Sequence, residues 1–104
     1  MVRVSVADTP WTRMRGLIGR PAPGPARGLL LRPASSIHTC FMRYPIDVVF
    51  LDATSRVLSV HHALPPWRVR SDRGARAVLE LRAGEATRLG IEPGKLALCC
   101  CSPH

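Results

Sequence analysis

Two carboxylates interrupt apolar runs in this chain: Asp47 in PIDVVFLD (45–52) and Glu80 in AVLEL (77–81). A buried carboxyl group must be hydrogen-bonded or ion-paired, or else it takes up a proton. Either residue is therefore a clamp on the fold or a working part of a site. Strand alternation puts Ile46, Val48 and Phe50 on one face and Asp47, Val49 and Leu51 on the other. His38, Arg43, Tyr44 and the amides of the turn before Pro45 are the partners closest to Asp47 in sequence. Two readings stay open for Asp47. It either bonds loop N–H groups and fixes the path of the CFMRYP turn, or forms the charged end of a small pocket. Facing Glu80, it would make the acid/base pair of a glycosidase or aspartic protease; His38 could replace Glu80 in that role. Glu80 can equally be an exposed-face residue or the partner of an arginine.

Other chemistry-bearing residues are less well placed. His61 and His62 are adjacent, so on a strand they face opposite ways and cannot chelate one ion. His38 and Cys40 share a face, but two ligands make a weak site and nothing in an extended segment lowers the thiol pKa. Cys99, Cys100 and Cys101 read as small hydrophobes finishing an apolar strand rather than as a disulfide framework; an adventitious metal tail with His104 is the alternative left open. No G-x-S-x-G, P-loop, G-x-G-x-x-G or H-E-x-x-H occurs. No native metal site and no cofactor are expected. Met42, Tyr44, Pro45, Pro65, Pro66 and Trp67 could form an apolar rim suited to a small molecule or an extended peptide, or could simply pack over one end of the sheet. The candidate ligand-binding set is thus His38, Met42, Arg43, Tyr44, Asp47, Pro66, Trp67 and Glu80.

The elements that must position these residues follow from periodicity. VRVSV (2–6) alternates and predicts a strand. Thr9 as N-cap, Pro10 at the first helical position and an apolar stripe of Trp11, Met14, Leu17 and Ile18 predict a helix stopped by Gly19. RPAPGPARG (20–28) is a loop. Short strands follow at GLLL and from Ser35 to Thr39. Ile46–Leu51 and Arg56–Ala63, joined by four polar residues, predict a hairpin. LPPWRVRSDRGAR reads as a long loop, AVLEL as a strand, AGEATRLG as a short helix closed by Gly90, and LALCCC as the last strand. The predicted class is α+β: a mainly antiparallel curled sheet or small barrel-like β-sandwich with two short helices, in one domain spanning 1–104.

Composition narrows the function. The 104 residues suffice for one core, and 46% hydrophobic residues exclude a disordered chain. No apolar run reaches membrane-span length. The N-terminus lacks the apolar region of a secretory signal, so a soluble, cytoplasmic bacterial protein is expected. The formal charge is +8, yet Lys95 is the one lysine among 15 basic residues, which points to a coding bias toward arginine. The arginines are scattered without a block, and the aromatics do not alternate with them as a base-stacking platform would. A nucleic-acid partner is therefore not expected. Oligomeric state is left open.

In order along the chain, Gly16-Leu17, Met42-Arg43, Pro45-Ile46-Asp47 through Phe50 and Asp52, Pro65-Pro66, Leu79-Glu80-Leu81, Gly84, Leu89-Gly90 and Gly94 resemble the domain-of-unknown-function 192 family. The resemblance covers nearly the whole chain. It implies a compact α+β domain with a mainly antiparallel, barrel-like sheet in a family with exported members, and it implies no activity. Arg82, Lys95 and Ser55 stand where the pattern has proline, aspartate and the hairpin glycine, and Met42 and Pro45 are closer together than in many members. The expected function is a binding module holding a small polar ligand or peptide near Asp47. The alternatives are a hydrolase using Asp47 with Glu80 or His38, and a binder of anionic surfaces or nucleic acid through its arginines.

Overall fold

The structure is a computed structural model that describes residues 2–9, 16–97 and 99–102. Among the described residues the strands are β1 (Val2–Ala7), β2 (Arg27–Leu31), β3 (Ser36–His38), β4 (Ile46–Leu51), β5 (Val57–Leu64), β6 (Val69–Ser71), β7 (Ala77–Arg82) and β8 (Cys99–Ser102). One helical turn, α1 (Glu85–Arg88), follows β7. Six strands form one sheet in the order β5-β4-β7-β2-β1-β8, and β3 pairs with β6 in a separate two-stranded ribbon.

The hairpin of β4 and β5 is present. Its turn is organised by Asp52, whose Oδ1 accepts hydrogen bonds from Thr54 N–H, Thr54 Oγ1–H and Arg56 N–H. Ser55 takes the left-handed conformation there, at φ 65°.

The strand pairs are mainly antiparallel, as expected, although β1 runs parallel to both β2 and β8. The rest needs correction. The described residues are mainly β with very little helix, and the sheet is open, with β5 and β8 as edges, so no barrel closes. Finally, the long loop after Pro65 contains β6, whose three residues pair with β3. Of the two helices expected, the second is α1; the first falls largely on residues 10–15, outside the described residues.

Both faces of the sheet are buried. One carries Val4, Leu30, Val49, Leu51, Leu79 and Leu81 and is covered by Ala86 of α1 and by Ile91. The other carries Leu29, Leu31, Ile46, Val48, Phe50 and Val78 and is covered by Leu17, by Ile37 of the ribbon and by Met42. Close approach in the middle of the sheet depends on Gly28. A Cβ there would lie 2.7 Å from Leu81 Cδ2 and 2.8 Å from the Glu80 carbonyl oxygen, so β2 fits against β7 only without a side chain at that position.

Candidate functional site

Asp47 is fully buried, and its neighbours explain why a carboxyl group sits inside an apolar strand. Oδ1 accepts from the Ala63 N–H at 2.8 Å, and Oδ2 accepts from the Gly84 and Ala86 N–H groups at 3.1 and 2.9 Å. Gly84 precedes α1 and Ala86 lies within it, so Asp47 supplies from a distant strand the cap that α1 has no side chain of its own to make. Ala63 has φ 47°, and the β4–β5 register shifts between Ile46 and Val48; Asp47 bonds the amide that this irregularity releases. The side chain thus ties β4 to β5 and to α1, and three main-chain donors share its two oxygens.

Glu80 lies on the opposite face. Asp47 pairs with Leu81 and Glu80 with Val48, so Asp47 projects with Val49 and Leu81, whereas Glu80 projects with Val48 and Val78. A six-stranded sheet separates the two carboxyl groups, and they cannot act on one substrate. His38 is also kept from Asp47: it is exposed on β3, in the ribbon that covers the Glu80 face. The hydrolase pairings therefore lack the geometry they need.

Glu80 is almost wholly buried, at 4% exposed. Desolvation pushes its pKa up to about 8, offset in part by the charge of Arg20. At neutral pH it is mostly the neutral acid. A Cβ on Gly16 would lie 2.9 Å from Glu80 Oε1, so the glycine leaves room for the carboxyl group, and its φ of +51° suits a residue without a side chain.

Beside this buried acid the loop after Gly16 opens a cleft of about 390 Å³. Arg20, Arg43 and Tyr44 provide its polar groups, and Leu17, Pro21 and Ala22 its apolar wall. The Tyr44 hydroxyl donates to the Arg20 carbonyl oxygen at 2.9 Å, closing the loop onto the segment before β4. Desolvation and then the charge of Glu80 raise the Tyr44 pKa, while Arg20 acts the other way. Glu80, Tyr44 and Arg20 are thus electrostatically coupled. A second cleft of about 280 Å³ lies along the same loop, sharing Leu17, Arg20, Pro21 and Ala22 and reaching Ser5 and Arg27.

The structure therefore divides the eight candidates. Arg43 and Tyr44 line the cleft, and Glu80 is coupled to it. Met42 is buried in the core on that face. His38 is exposed. Pro66 and Trp67 belong to the turn before β6, where the Trp67 ring meets Phe41. Asp47 holds α1 on the far side. Arg20 was missed, because a guanidinium in a Pro/Gly-rich loop carries no periodic signal; Tyr44 as the group fastening that loop was equally invisible. Among the described residues no three His, Cys, Asp or Glu side chains converge as metal ligands, and no helix is long and apolar enough to cross a membrane.

Comparison with known proteins agrees with this architecture. The family model of domain of unknown function 192, described as "Uncharacterized ACR", matches residues 1–97. A UPF0127 protein of Thermococcus sibiricus is 37% identical over an alignment of 97 residues that covers 88% of this chain and 62% of that protein; the chain spans less than two thirds of that relative's length. A crystal structure of a protein of unknown function from Novosphingobium aromaticivorans superposes with a TM-score of 0.78 at 28% identity, covering 86% of this chain and 70% of the other. A crystal structure of a candidate transcription regulator from Sinorhizobium meliloti gives 0.80 at 28% identity, covering 88% and 76%.

Proposed function

The chain belongs to the domain-of-unknown-function 192 family, and from that premise we propose that it is a binding module for a small anionic ligand, held in the cleft between Arg20, Arg43 and Tyr44. The ligand site moves from Asp47, where the sequence suggested it, to the opposite face of the sheet. The observation that supports this reading is a buried carboxyl group, raised to about 8, coupled to a cleft that presents two guanidinium groups. A strongly perturbed acid beside an accessible cleft is a mark of a functional site. A neutral Glu80 leaves the positive charge of Arg20 and Arg43 uncancelled, and guanidinium groups match carboxylate and phosphate geometry.

Calorimetric titration with inorganic phosphate, acetate and succinate at pH 6.5 tests the reading. One of these anions should bind wild type, with affinity falling about tenfold or more in Arg43→Ala and Arg20→Ala. It should also weaken as pH rises past 8, because ionised Glu80 then cancels the positive field. Heat signals that are absent for all three, or unchanged in both arginine variants, would remove the proposal.

A further inference from the structure

The end of the β3–β6 ribbon presents two aromatic rings to solvent. His38 pairs with Val69, so the turns that follow β3 and precede β6 meet at one end. Phe41 is 68% exposed and Trp67 60% exposed. Their ring centroids are 4.8 Å apart with the planes tilted by 60°. Val69, two residues on, is also exposed.

The backbone under both rings is strained. Phe41 has φ 67° and Trp67 φ 65°, the left-handed region that bulky residues avoid. Thr39 holds them there. It is fully buried; its Oγ1 accepts from Arg68 N–H at 2.8 Å and donates to the Pro65 carbonyl oxygen at 2.7 Å. Its carbonyl oxygen accepts from Trp67 N–H at 3.1 Å and Met42 N–H at 3.2 Å. A fold that needed these rings for its core would turn them inward. This one fixes a strained loop pair that turns them out.

The charge around the rings has one sign. Residues 39–45 and 65–70 contain Arg43, Arg68 and Arg70 and no acid. Among the described residues the ion pairs are Arg88–Glu85 and Lys95–Glu92, and neither takes in a residue of these turns. Asp47, next along the chain, is sealed on the other face of the sheet.

We propose that this aromatic end of the ribbon docks the protein onto an anionic lipid surface, with Phe41 and Trp67 entering the interface and Arg43 and Arg68 meeting the headgroup phosphates. A protruding ribbon end suits a soft interface, which needs no complementary pocket. Trp and Phe flanked by Arg have the amphipathic character that such an interface takes up. The tilted, mutually touching rings suit nucleic acid less, because a base-stacking platform needs free ring planes. The surface is separate from the anion cleft except for Arg43.

Cosedimentation with phosphatidylcholine vesicles containing 30% phosphatidylglycerol, and with phosphatidylcholine alone, tests this. Wild type should pellet with the anionic vesicles at low salt and be released by added salt. Phe41→Gly/Trp67→Gly should lower the partition coefficient about tenfold or more while keeping the wild-type melting temperature or raising it, since glycine accepts the left-handed backbone. Phe41→Asn/Trp67→Asn, which also tolerates that conformation, should lose vesicle binding equally. No pelleting with anionic vesicles overturns the proposal, as does pelleting that both double variants retain, or equal pelleting with neutral vesicles. Binding of a single-stranded oligonucleotide, lost in the double variants, without vesicle binding would reassign the surface to nucleic acid.

Discussion

Glu80 makes the stability of this protein fall as pH rises, and the size of the fall can be worked from its burial. The carboxyl group goes from an ordinary value of 4.5 to about 8 on folding. Between those values the folded state holds a proton that the unfolded state releases. Unfolding is therefore favoured by increasing pH: stability is greatest below 4.5, declines through the window and levels off above 8. At 1.36 kcal/mol per pKa unit, the shift of roughly 3.5 units corresponds to about 5 kcal/mol over the whole window and about 3 kcal/mol by pH 7. For a domain of this size that loss lowers the melting temperature between pH 5 and 8 by on the order of 20 °C. Other groups among the described residues act with the opposite sign, Asp52 among them, held low by its hydrogen bonds from Thr54 and Arg56 and active only in acid. Glu85, held down to about 2 by Arg88 and by the Ala26 N–H, loses its stabilising contribution only as pH falls below 4.5, outside the Glu80 window. His61, lowered chiefly by burial, gives a small gain as pH rises toward 6.5 and none beyond it. Calorimetry of wild type and Glu80→Gln from pH 5 to 9 reads the effect. The amide cannot ionise, so the variant should be nearly flat with pH and more stable than wild type at pH 8. A flat wild-type profile, or a slope that survives in Glu80→Gln, refutes the buried neutral acid and with it the electrostatic argument for the cleft.

Two further substitutions probe the framework. Asp47→Asn should cost about 2–4 kcal/mol in urea denaturation, because one oxygen becomes an amino group facing main-chain donors, yet leave anion binding in the cleft unchanged; loss of binding without loss of stability would show that Asp47 serves the site directly. Gly28→Ala should cost about 1–3 kcal/mol, read as a lower melting temperature, since the new methyl meets the Glu80 carbonyl oxygen and Leu81; a neutral result would show that β2 can move away from β7.

The chain's local chemistry carried much of the strand inventory. Apolar alternation marked β1, apolar runs marked β4, β5 and β7, and the polar DATS connection marked the hairpin, because burial of one face imposes a period of two and burial of both faces an almost unbroken apolar run. The same alternation assigned Asp47 to the face shared with Val49 and Leu51. It identified Asp47 and Glu80 as the two carboxyl groups needing an explanation, since an acid in an apolar run needs partners whatever the fold. Pairing is a different matter. Whether β1 lies parallel to β2 and β8, whether the sheet closes, and that Val69–Ser71 joins β3 depend on hydrogen bonds between segments far apart in sequence, which no local pattern records. For the same reason only the tertiary structure could put Asp47 under the amides of α1, 37 and 39 residues away, and Glu80 through the sheet beside Arg20 and Tyr44. Both acids had the same local signature, and their surroundings made one a clamp bonded by three amides and the other a desolvated acid that keeps its proton.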